Sequence, residues 1–153
     1  MKNETKRMIR IMGALMFIIY LCVLTYLLFF AEMYGRTMVP YEYRYNLVPF
    51  QEIRRFWNNR ELLGDMAVFT NLGGNVLAFI PFGAILPVLS KRCRGFFRIL
   101  LLSFEFSLLV ECIQLISRVG SFDVDDLILN TLGGILGFIL FAVCNRIRRT
   151  IYG

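Results

Sequence analysis

Among the 153 residues there is no His, so a Ser-His-Asp or Cys-His site and any His-ligated metal are excluded. The chain has 4 Cys. None of Cys22, Cys93, Cys112 and Cys144 forms a C-x-x-C pair, which leaves neither a zinc site nor a redox dithiol signalled. They read as buried, inert thiols that act as small hydrophobes. Chemistry therefore falls to carboxylates, amides and an arginine. Ser107, Glu111, Gln114 and Arg118 lie within about 60° of one another on one helix face at 100° per residue. Glu105 projects about 120° away from Glu111 and belongs to a different neighbourhood. On this face Arg118 suits an anionic group, and Glu111 suits a cationic group or service as a general acid or base. Five residues after Arg118 stands Asp123-Val-Asp125-Asp126. Acids at a helix start meet its unsatisfied N–H groups, so the plain reading of Asp125 is an N-cap. Three acids in four residues exceed what a cap requires, which makes Asp123, Asp125 and Asp126 the candidates for a divalent cation or an amine. Asn130 follows on the face of Asp126, and Asn71 and Asn75 supply two more amides.

The elements that must position these groups are apolar. Hydrophobic residues make up 58% of the chain and charged residues 18%, against roughly 45–50% and 25% in a soluble domain. A membrane helix needs about 20 mostly apolar residues, and four stretches qualify, at 11–31, 70–90, 96–117 and 127–145. The first is too long for a signal-peptide core and lacks an A-x-A-like site, so it is expected to remain as a helix. Basic residues sort by side. Lys2, Lys6, Arg7, Arg10, Lys91, Arg92, Arg94, Arg98, Arg146, Arg148 and Arg149 share one side with Glu4 alone. The opposite loops hold Arg36, Arg44, Arg54, Arg55, Arg60 and Arg118 against Glu32, Glu42, Glu52, Glu61, Asp65, Asp123, Asp125 and Asp126. This asymmetry predicts a multi-pass protein of the cell membrane with both termini cytoplasmic. It also accounts for the formal charge of +6 through topology and anionic lipid headgroups, leaving no call for nucleic acid.

The expected fold is an all-α membrane protein forming a single domain over 1–153. Its four transmembrane helices form two parallel helix pairs. The first outer loop adds a short amphipathic interfacial helix, because Phe50, Ile53, Phe56 and Trp57 are spaced to share one face. Spans two and four run in the same direction and share a pattern: Asn71-x-x-Gly74-x-x-x-Ala78 parallels Asn130-x-x-Gly133-x-x-x-Gly137. Gly74, Gly83, Gly133, Gly134 and Gly137 are the expected close-packing positions. Pro81 and Pro87 remove backbone donors from span two and invite a bend there. Ala67 stands where the repeat would place an acid equivalent to Asp126, so the acidic side of any site comes from the second half.

Three stretches carry a resemblance to the VanZ-like family of bacterial membrane proteins. They are Asn46-Leu-Val-Pro49-Phe50, then Asn71-Leu-Gly-Gly74-Asn75 with Phe79-Ile-Pro81-Phe-Gly83, and Glu111-Cys-Ile-Gln114 continuing through Arg118 to Gly134. The resemblance implies a theme of resistance to teicoplanin, a lipid-tailed glycopeptide antibiotic, in Gram-positive bacteria. The expected function is an outward-facing polar pocket that engages a lipid-linked precursor or a lipoglycopeptide. Its ligand-binding residues would be Glu111, Gln114, Arg118, Asp123, Asp125, Asp126, Asn130, Asn71 and Asn75, with membrane lipids as partners. Two alternatives stay open. A metal-assisted enzyme acting on a lipid headgroup would use Glu111 as acid or base, but neither Ser107 nor Ser117 has a base at a telling spacing. A small proton-coupled transporter would require a homodimer, since four helices are few for a transport path. No cofactor is identified.

Overall fold

The structure is a computed structural model that describes residues 3–29 and 43–152. Helix α1 covers Asn3–Phe29 and is followed, within the described residues, by strand β1 (Tyr45–Asn46) and helix α2 (Gln51–Asn58). Two single-turn helices, α3 (Arg60–Leu63) and α4 (Asp65–Val68), lead through a π-helical turn (Phe69–Gly73) into α5 (Gly74–Leu89). A 3-10 turn at Lys91–Cys93 joins α5 to α6 (Phe96–Ser117), and strand β2 (Phe122–Asp123) leads into α7 (Val124–Tyr152). Four helical segments are long and apolar enough to cross a membrane: Arg7–Phe29, Asp65–Leu89, Phe96–Ser117 and Val124–Ile151.

The observed helices overrun the expected apolar limits because polar residues in the headgroup layer remain good helix formers. α1 starts at Asn3 rather than near residue 11, and α7 continues past 145 through its basic end. The expected end of the first span at Ala31 lies outside the described residues. The second span begins earlier than expected, at Asp65, where Gly64 breaks the preceding turn with φ of 81°. The interfacial helix expected around Phe50–Trp57 is α2. None of the four cysteines is buried in the bundle, contrary to expectation, and Cys22 and Cys144 are exposed. Cys112 and Cys93 are half-buried, the latter in the 3-10 turn between α5 and α6.

α5 and α7 run in the same direction and form the tightest contact. Bare glycine backbone makes it fit. A Cβ built on Gly133 would sit 2.2 Å from the Val76 carbonyl oxygen, one on Gly137 would sit 2.0 Å from that of Ile80, and one on Gly83 would sit 1.8 Å from that of Gly134. Such approach leaves no room for a side chain and gains close backbone packing where lipid offers no hydrophobic drive between helices. α6 joins the other side of α7, where a Cβ on Gly134 would meet the Ser103 hydroxyl at 2.0 Å. Gly74, expected to pack likewise, faces open space. α1 lies against α5, where the Tyr20 hydroxyl donates to the Ala78 carbonyl at 2.9 Å. An aromatic cluster fills the middle, with the Phe82 and Phe106 rings stacked at 4.7 Å and Phe17 and Phe79 beside them. The bundle thus has a basic end, where α1 begins and α7 ends, and a ladder end, bearing β1 and β2.

Candidate functional site

At the ladder end, β1 and β2 pair in parallel with Tyr45 opposite Phe122 and Asn46 opposite Asp123. The Phe122 N–H donates to the Arg44 carbonyl at 3.0 Å. A two-residue ladder is too short to hold itself, and side chains fasten it. The Asn46 amide donates to Asp123 Oδ1 at 3.1 Å, while its own oxygen accepts from the Val48 N–H at 3.0 Å and sets the turn before Pro49. Below the ladder, buried Glu111 of α6 accepts the Asp123 N–H at 2.9 Å.

The acidic run divides its labour by position. Asp123, not Asp125, caps α7: its Oδ1 accepts the Asp125 N–H at 2.8 Å, satisfying one of the four free donors at a helix start. Asp125 points away from its own helix. Its carboxylate, 1% exposed, accepts the backbone N–H groups of Phe50, of Glu52 at 2.8 Å and of Ile53 at 3.0 Å. α2 has no side-chain cap of its own and starts from Phe50 in the left-handed region at φ 64°. A residue 75 positions later therefore supplies both the missing cap and the negative charge that the helix dipole favours. Asp126 accepts the Asn75 amide and so joins α7 to α5.

One turn deeper, the Asn130 amide donates to the Ser107 hydroxyl at 3.0 Å and joins α7 to α6. Gln114 Nε2 donates to the Leu28 carbonyl at 3.2 Å, linking α6 to the last turn of α1. A continuous set of polar contacts therefore ties all four spans together in the ladder-end half. Arg118 ends α6 in the left-handed conformation at φ 58° and lays its guanidinium 4.7 Å from the Tyr43 ring centroid. Glu105 is exposed on the far side of α6, away from Glu111, as its spacing requires.

Burial pushes the Asp123 carboxyl above the ordinary carboxylate range, and the neighbouring Asp125 and Glu52 charges add to the rise. The Asp125 N–H and the Asn46 amide oppose it. The Asp125 oxygens are surrounded by N–H donors, an arrangement that suits an anionic cap and leaves little for a cation. Among the described residues, no group of three or more His, Cys, Asp or Glu side chains could hold a metal ion.

Of the residues expected at the site, the structure gathers Glu111, Gln114, Asp123, Asp125, Asp126, Asn130 and Asn75 into this half of the bundle, with Arg118 at its rim. Asn71 is left out. It is exposed and donates to the Ala67 carbonyl of its own helix at 2.8 Å, so the repeat with Asn130 holds in helix direction and not in chemistry. Asn46 and Tyr43 were not anticipated as site residues. The short amide two positions before Val48-Pro49 was the available signal for Asn46; nothing in the sequence marked Tyr43.

Between α1 and α6 in the same half lies an apolar cavity of about 480 Å³, walled in part by Leu24, Leu28, Phe106, Leu109, Val110 and Ile113. The segment from α2 to the π-helical turn presents Trp57, Leu62, Met66 and Phe69 as exposed apolar side chains.

No solved structure matches this chain. It is 35% identical over 130 residues to Protein VanZ of Enterococcus faecium, a match covering 84% of this chain and 72% of that protein. The family model VanZ/LLP1 matches residues 17–145. Together with the four apolar spans, these matches make the chain a membrane protein that belongs to the VanZ/LLP1 family.

Proposed function

We propose that this protein contributes to glycopeptide resistance of the teicoplanin type, or to homeostasis of the cell envelope, by engaging a lipid-linked or lipid-tailed ligand at the ladder end of its bundle. The ladder end faces outward in this reading, since the basic end carries the cations that prefer the cytoplasm. The supporting observation is the apolar cavity between α1 and α6, which lies in the same half as an amphipathic helix pinned by Asp125. A cavity of this size fits part of an acyl tail. The exposed apolar side chains of α2 and the turns after it seat this segment in the headgroup layer, beside the ligand's polar part. Arg118, steadied against Tyr43, meets an anionic group. Glu111, Asp123, Asp125 and Asp126 act as positioning residues that fix the ladder and α2 around the entrance, with Asn75, Asn130 and Gln114 holding the spans beneath.

The test is resistance in a susceptible host expressing the protein. Val110→Trp, which fills the cavity, should lower teicoplanin protection while the protein level stays constant. Glu111→Gln should abolish that protection, again at constant protein level. Vancomycin, which lacks the lipid tail, serves as the control. Full teicoplanin protection by both variants would overturn the reading.

A further inference from the structure

The basic end of the bundle holds a second cavity, of about 390 Å³, that the function above does not use. Four cations line it from three separate segments: Arg10 of α1, Lys91 and Arg94 of the α5–α6 connection, and Arg148 of α7. Among the described residues that line it there is no carboxylate. Like charges gathered around one space repel each other, and an anion among them turns that repulsion into attraction.

Two of these cations are already held in place. Arg94 Nε donates to the Pro87 carbonyl at 3.0 Å, and its guanidinium lies 5.7 Å from the Phe141 ring centroid. Pro87 sits in the last turn of α5, where carbonyls lack a helical N–H partner, so the bond both satisfies the helix end and fixes the fork. The remaining N–H groups of that fork match a pair of phosphate oxygens. Arg148 Nη2 is steadied by Asn145 Oδ1 at 2.8 Å. Part of the wall is apolar, with Ile9, Val88 and Phe141. A free phosphate has no use for that wall. A phospholipid does, because its glycerol and first methylenes lie beside its phosphate.

We propose that this cavity binds the headgroup phosphate of an anionic phospholipid from the leaflet at the basic end. The phosphate sits among Arg10, Lys91, Arg94 and Arg148, and the start of the acyl chains lies along Phe141 and Val88.

Native mass spectrometry of the purified protein, titrated with phosphatidylglycerol or phosphatidylcholine, reads the preference directly. Arg94→Gln with Arg148→Gln should cut the preference for phosphatidylglycerol roughly 30-fold, on the order of fivefold per cation removed. Arg148→Gln alone, at an exposed position, should lose about fivefold with an unchanged melting temperature in phosphatidylcholine, which separates lost binding from lost folding. Arg54→Gln with Arg60→Gln, at the ladder end, should leave the preference intact. An unchanged preference in both the single and the double basic-end variant would overturn the proposal. So would inorganic phosphate raising the melting temperature as much as phosphatidylglycerol does, because the site would then belong to the free anion.

Discussion

Asp125 is a buried carboxylate whose partners are backbone N–H groups of a helix far away in sequence. Removing it leaves three donors at the start of α2 without an acceptor and Phe50 in an unfavourable backbone region with nothing to hold it there. Asp125→Ala should therefore cost about 2 kcal/mol, the upper end for a lost cap, and limited proteolysis should cut first in Gln51–Asn58. An unaltered cleavage pattern would refute the cap. Asp123 behaves differently, because burial holds its carboxyl above the ordinary range. A group with a raised folded value contributes stability that is present below the unfolded value and lost as pH rises through the folded one. Asp123→Asn keeps the capping oxygen and removes the titration. The wild-type melting temperature in detergent should thus fall, as pH rises above the ordinary carboxylate range, by more than that of Asp123→Asn, and parallel curves would contradict this. The sequence exposed the acids of this cluster but not their assignments. Capping rules work over three or four residues and pointed Asp125 at its own helix, whereas its partners are fixed by a chain crossing that no local spacing records.

At the scale of elements, the spans were legible because hydropathy is a local property and each run is long enough to cross a bilayer. The glycines were legible only in part. Gly74 and Gly133 occupy matching places in the two repeats, yet one meets open space and the other a carbonyl oxygen. Ala substitution should separate them. Gly83→Ala, Gly133→Ala and Gly137→Ala each force α5 and α7 apart and should cost about 1–3 kcal/mol. Gly74→Ala should be neutral or stabilising by up to about 1 kcal/mol through helix propensity. Thermal melts in one detergent compare all four, and a loss at Gly74 equal to that at Gly133 would contradict the packing described. Glu105 offers a further check on α6. Its exposed carboxylate lies near the middle of the span, so Glu105→Leu should favour insertion of this helix by roughly 2–3 kcal/mol, measured as the inserted fraction of the isolated segment.

For the molecule as a whole, the excess of cations lies at one end and that of acids at the other, which predicts that both termini face the cytoplasm. Tags at either terminus should be shielded from impermeant reagents in intact cells and become accessible after lysis; accessibility of either tag in intact cells would invert the topology. The two ends also differ in kind. At the basic end the bond from Arg94 back to Pro87 joins neighbours in sequence, so that contact can form as soon as the α5–α6 connection exists. The ladder end joins residues 44–53 to residues 122–125 and waits for the start of α7. During synthesis, then, the segment before α5 emerges early and stays unsecured until the residues that open α7 have been made. Fastening of the ladder end is therefore a late event of assembly, and a chain stopped before Phe122 would leave residues 44–53 without the partners that hold them.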